Sequence, residues 1–233
     1  MRYFACLKSF GGRVCAGLIL LLAFAFCATG ASDFDRLLNA LTQRWGNGPT
    51  TKFQQWRTLI ASTSSAADPE RLKRVNDFFN RQMLFVDDPD NWAQPDFWAT
   101  PMESLGKGAG DCEDYAIAKY FTLREAGVAP NKLRLIYVRA KTGSGDGASF
   151  QAHMVLAYYA QPDAEPLVLD NLVGDIRSAS KRPDLVPVFS FNSDGVFTAA
   201  SKDGSPSAGT GRLSRWEDLL KRAVAEGFDL TPH

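Results

Sequence analysis

Residues 106–127, GKGAGDCEDYAIAKYFTLREAG, decide the fold. Gly106, Gly108 and Gly110 lead into a helix-forming run that opens Asp111-Cys112-Glu113-Asp114. Ala116, Ile117, Tyr120 and Phe121 recur at helical spacing on one face, and Gly127 can end the helix. A glycine-rich approach therefore sets a cysteine at a helix start, where unpaired backbone N–H groups favour a thiolate.

Downstream lie three short apolar runs, Leu133–Ala140 (LRLIYVRA), Ala152–Tyr159 (AHMVLAYY) and Leu167–Leu172 (LVLDNL). They are separated by Gly143–Gly147 and Gln161–Pro166, short loops of hairpin type, so neighbouring strands are expected to be antiparallel. A further extended stretch, Val186–Ala200, turns at Asn192–Gly195, and a polar segment, Ser201–Gly211, leads to a last helix over Leu213–Glu226. Upstream, three helices are predicted between Ser32 and Arg81. They are marked by Phe34, Leu37, Leu38, Leu41 and Trp45, then Phe53, Trp56, Leu59 and Ile60, then Leu72, Val75, Phe78 and Phe79, with Asp68 and Pro69 as N-cap and first residue of the third. Between helices and cysteine, DDPDNWAQPDFWATP (87–101) reads as an irregular loop on its three prolines. Trp92, Phe97 and Trp98 in it suit the core or a recognition surface beside the cleft. The layout is α+β: helices first, then one antiparallel sheet packed on the cysteine-bearing helix.

The first 31 residues stand apart. Arg2, Lys8 and Arg13 precede the apolar run Val14–Ala28 and the small residues Thr29-Gly30-Ala31, the layout of a secretory signal peptide too short to span a bilayer comfortably. Phe26 before Cys27 does not suit a lipoprotein signal. Cleavage near Gly30 or Ala31 removes three of the 26 basic residues and none of the 26 acidic ones, leaving a net charge of −3. No basic face for nucleic acid is expected from that balance. Cys6, Cys15 and Cys27 leave as well, so the mature chain keeps Cys112 alone, with no internal disulfide. An exported chain with one cysteine holds either an inert buried thiol or one kept for chemistry.

The second histidine of the mature chain, His233, is its last residue, which leaves His153 as the base for Cys112. Asp170 falls in the otherwise apolar strand LVLDNL, where a carboxylate needs a partner, and His153 on the adjacent strand suits it. Each residue alone has a bland reading: a small core cysteine, a satisfied core histidine, a turn-forming aspartate. The order helix-start Cys, strand His, next-strand Asp is what favours a catalytic set. Asp111, Glu113 and Asp114 crowd the cysteine and would oppose its ionisation unless neutralised. A hard cation such as Ca²⁺ would neutralise them; equally, acids at a helix start are favoured by its dipole. No cysteine–histidine cluster for zinc, EF-hand loop, phosphate cradle or dinucleotide fingerprint stands in its proper context.

The segments WATPMESLGKGAGDCEDYAIAKYFTLREAGV, KLRLIYVRA, AHMVL and PLVLDN, in this order, resemble the bacterial transglutaminase-like cysteine proteinases, in particular their LapG-type periplasmic branch. The resemblance is strongest from Trp98 to Ile176. It implies a papain-like or transglutaminase-like core with an N-terminal helical lobe: residues 32–233 as one protease domain, 32–101 the lobe, 102–233 the catalytic helix and sheet. It implies Cys112 as nucleophile, His153 as base and then acid, and Asp170 as orienter. It implies calcium dependence through Asp111 and Glu113, with Asp114 a weaker addition. It further implies a large surface adhesin as substrate, cut at a dialanine site in its N-terminal region to disperse biofilm, and an inhibitory inner-membrane receptor for cyclic di-GMP. Two other readings stay open: acyl transfer to an amine by the same triad, and a non-catalytic periplasmic protein-binding module.

Overall fold

The computed structural model describes residues 32–143, 147–197, 208–209, 211 and 213–231. The segment read as a signal peptide, His233, and most of Ser201–Gly211 lie outside the described residues.

Three helices come first, α1 (Phe34–Trp45), α2 (Thr50–Thr63) and α3 (Asp68–Gln82). The spacing of apolar residues fixes what they bury: Leu37 and Leu41, then Phe53, Trp56, Leu59 and Ile60, then Leu72, Val75 and Phe79. α3 begins one residue earlier than its sequence signal, with Ala67 as N-cap. Asp68 does not cap; its carboxylate accepts from Arg71 at 3.0 Å, Lys132 at 2.9 Å and the Tyr158 hydroxyl at 2.7 Å, tying the helical half to the sheet.

The stretch expected to be irregular contains a short helix, α4 (Asp88–Trp92), with Pro89 in its first turn, where proline costs no hydrogen bond. β1 (Leu84–Phe85) precedes it. α5 (Pro101–Lys107) follows, opened by a capping box between Thr100 and Glu103. β2 (Ala109–Gly110) then pairs in parallel with β1, Phe85 opposite Gly110. A Cβ on Gly110 would lie 2.5 Å from Asp114 Oδ2 and 2.9 Å from Met83 Cε, so only glycine allows this close approach.

α6 (Cys112–Glu125) is the centre of the molecule. The sequence predicts one apolar face, but every residue from Glu113 to Leu123 is buried, because α2, α3 and α5 cover one side and the sheet the other. Trp56 Nε1 donates to Thr122 Oγ1 at 2.8 Å, joining α2 to α6.

The sheet is built from β3 (Leu133–Thr142), β4 (Ser149–Tyr158), β5 (Leu167–Leu169), β6 (Arg177–Ser178), β7 (Leu185–Phe191) and β8 (Val196–Phe197). Their order is β6-β5-β4-β3-β7-β8, with every neighbouring pair antiparallel as the short loops predict. α7 (Ser214–Glu226) closes the fold; its Arg222 bonds Glu103 and donates to the Trp98 carbonyl at 2.7 Å.

Candidate active site

Three elements meet at one cleft of about 490 Å³. Cys112 comes from the first turn of α6, His153 from the middle of β4, and Trp98 and Asp96 from the loop before α5. The sequence brings Cys112 here by the glycine approach and the β1–β2 pairing, which carry the chain to the start of α6. Asp111 occupies the N-cap position, yet its side chain makes no cap bond.

On one flank the histidine is held firmly. His153 Nε2 lies 2.8 Å from Asp170 Oδ1, with both side chains buried. Nε2 is thereby committed, and Nδ1 is the nitrogen left to exchange a proton. Asp170 also accepts from the Leu172 N–H at 3.0 Å and from Arg182 Nη2 at 2.7 Å. Burial pushes its pKa up, but His153, the Leu172 amide and Arg182 outweigh burial and hold it down at about 2. Asp170 sits one residue past β5 rather than within a strand, as the sequence reading has it; only Leu167–Leu169 pair with β4. Arg182 is the partner sequence reasoning missed, and Lys119 of α6 is a buried cation within the electrostatic reach of Asp170. Lys119 is buried, burial drawing its pKa down to about 7 against the pull of the Asp170 carboxylate.

The other flank is acidic. The Cys112 thiol donates to Glu113 Oε2 at 3.1 Å. Burial raises the thiol pKa well above its usual value, and the Glu113 charge raises it further; the Met154 backbone N–H directed at the sulfur lowers it. Asp111 and Glu113 are raised as well, burial acting first in each case. Ligand oxygens of Asp88, Asp111 and Glu113 lie within 4.8 Å of one another. Asp88 Oδ1, Asp111 Oδ1 and Asp114 Oδ2 are buried without a hydrogen-bond partner. Orphaned carboxylate oxygens facing one another are what a hard, oxygen-seeking cation satisfies, so the residues fit Ca²⁺. Asp111 and Glu113 were expected here from the sequence. Asp114 stands beside the group of three rather than in it, one of its oxygens accepting the Ala99 N–H at 2.8 Å. Asp88 was missed because it lies in the segment read as loop; its one sequence signal is the DDPD string.

Trp98 is buried, stacked on Phe191 at 5.5 Å, and walls the cleft. Trp92 packs on Phe97 at 4.6 Å outside it.

A helix-start cysteine and a strand histidine lining one cleft beside an antiparallel sheet suit a transglutaminase-like cysteine protease fold. The chain belongs to the bacterial transglutaminase-like cysteine proteinases, whose family model matches residues 53–184. Among solved structures, Legionella pneumophila LapG is similar at 37% identity and a TM-score of 0.69, covering 83% of this chain and 98% of that one. A calcium-bound form of the same protein matches at 38% identity and TM-score 0.70, over 82% of this chain and 98% of that one. An EGTA-treated form matches at 38% and 0.71, over 83% and 98%. No match is found among curated proteins.

Proposed function

We propose that this protein is a calcium-dependent periplasmic cysteine endopeptidase that cuts the N-terminal region of a large cell-surface adhesin at a dialanine site, releasing the adhesin and dispersing biofilm. In this reading an inner-membrane receptor for cyclic di-GMP holds it inactive. The observation that carries the proteolytic step is the position of Cys112 and His153 in one cleft, with His153 Nε2 already taken by Asp170. Export is supported by the charged and then apolar first 31 residues, and no helix of the described residues is long and apolar enough to cross a membrane.

The Cys112 proton passes to His153 Nδ1, and the thiolate attacks the scissile carbonyl. The Cys112 backbone N–H at the uncapped start of α6 donates to the developing oxyanion. The C–N bond breaks as the amine leaves with the proton from His153, giving a thioester. Water, deprotonated by His153, then hydrolyses it, and the thiol is restored. Asp170 fixes the imidazole and steadies its charged form, and Arg182 keeps Asp170 ionised. Asp88, Asp111 and Glu113 would hold Ca²⁺, which neutralises the carboxylates that otherwise hold the thiol proton in place.

The test is cleavage of an adhesin N-terminal fragment bearing a dialanine segment, with products read by mass spectrometry. The expected result is one cut within the dialanine, absent with EGTA and absent in Cys112→Ala. Amine incorporation in place of hydrolysis, or an intact fragment beside an inert thiol, would overturn the reading.

A further inference from the structure

The free edge of β4 opens into the cleft that holds the thiol, which Cys112, Ala152 and Met154 line together. The Tyr159 N–H donates to Lys132 on the β3 side at 2.8 Å. Successive residues of an antiparallel strand direct their main-chain groups to opposite sides. His153, Val155 and Ala157 therefore face β3, while Ala152, Met154, Leu156 and Tyr158 present N–H and C=O to the other edge. β5 covers that edge only from Leu156 to Tyr158. At the next outward position Met154 lines the cleft together with Cys112. At the one after, Ala152, no strand among the described residues pairs on this outer side, and residues 149–152 are all exposed. This SFQA segment carries none of the charges or prolines that usually blunt a sheet edge.

We propose that this edge is where the substrate docks: the extended segment of the protein substrate that runs into the scissile bond adds to β4 as a further strand. The Ala152 N–H donates to a substrate carbonyl and the Ala152 carbonyl accepts a substrate N–H, as in peptide recognition by strand addition. Ala152 and Met154 are two residues apart, about 7 Å along a strand, so Ala152 grips the substrate about two residues from the carbonyl under attack. Main-chain pairing selects an unstructured, extended segment whatever its sequence. Side-chain preference then comes from Phe85 and Leu172, which line the cleft and remain half exposed, at 53% and 51%. They suit an apolar residue on the substrate face turned towards them.

This inference rests on the proteolytic reading. The wild-type protein with calcium is first incubated with a library of proteome-derived peptides, and a peptide that it cuts is resynthesised with single N-methyl amides along its length. One position about two residues from the scissile bond should lose about tenfold or more in kcat/KM, while its two neighbours, whose N–H groups point away, lose under about threefold. Ala152→Pro removes the outward N–H and no ladder bond to β3. It should lower kcat/KM about tenfold while iodoacetamide alkylation of Cys112 keeps the wild-type rate. Losses spread evenly along the peptide, or wild-type kcat/KM in Ala152→Pro, overturn the strand addition and leave proteolysis standing. No peptide cut by a protein whose Cys112 is alkylated readily overturns the proteolytic reading itself, and this inference with it. If Ala152→Pro does not fold, the N-methyl series decides alone.

Discussion

Two sets of buried carboxylates flank Cys112 and His153, alike in chemistry and different in their company. Asp170 has a histidine, an arginine and a backbone amide on its two oxygens, and holds a pKa of about 2. Asp88, Asp111 and Glu113 have mainly one another, with orphaned oxygens and pKa values all raised, first by burial. The first flank is complete within the chain. The second needs a positive charge from outside it, and that need is what makes the thiol conditional: the same Glu113 that accepts the Cys112 proton keeps it there.

The largest effects lie where the flanks meet. Cys112→Ala and His153→Ala should each lower cleavage by about a thousandfold or more, since members of a catalytic set act as a unit; initial rates on the adhesin fragment measure this. Breaking the complete flank comes next. Asp170→Ala frees the imidazole and takes one of two carboxylates from the buried Arg182, which keeps Asp184, and should cost about 1–3 kcal/mol in denaturant-derived stability.

Filling the incomplete flank has a calculable pH signature. Carboxylates whose folded pKa is raised bind protons more tightly in the native state, so they lower stability as pH climbs above the unfolded range near 4. Without calcium, the melting temperature should fall between about pH 5 and pH 8. Saturating calcium takes the protons' place, so its gain should be larger at pH 8 than at pH 5.5, approaching about 3 kcal/mol at a hundredfold excess over Kd. Calorimetry at the two pH values reads it; a gain greater at the acidic value would break the comparison. Asp88→Asn, a subtler change, should weaken calcium binding about tenfold by titration calorimetry while leaving the rate at saturating calcium near wild type. The smallest effect is on Lys119→Met. Its ammonium sits near Asp170 but is replaceable by a well-packed apolar chain, so activity should stay within about threefold.

Much of this was legible in the sequence, and the exceptions have physical causes. Cys112 at a helix start, the antiparallel strands and the His153–Asp170 pair follow from local signals: glycine punctuation, short loops and a carboxylate among apolar residues. Asp88 was not legible as a site residue, because it reaches the cluster through the two-residue β1–β2 pairing and a short helix that its prolines disguised. Arg182 was hidden for another reason. It lies beyond β6, just after a single 3-10 turn at Ala179–Lys181, and nothing in its neighbours signals that its guanidinium is buried against Asp170. The single apolar face expected of α6 gave way to burial all round, since tertiary packing on both sides overrides the periodicity of one helix.

The claim that calcium releases the thiol is tested most directly by the rate at which iodoacetamide alkylates Cys112 at neutral pH, in calcium and in EGTA. We predict rapid alkylation in calcium, at least about tenfold slower in EGTA, with the calcium effect lost in His153→Ala. Equal rates in calcium and EGTA would contradict the account.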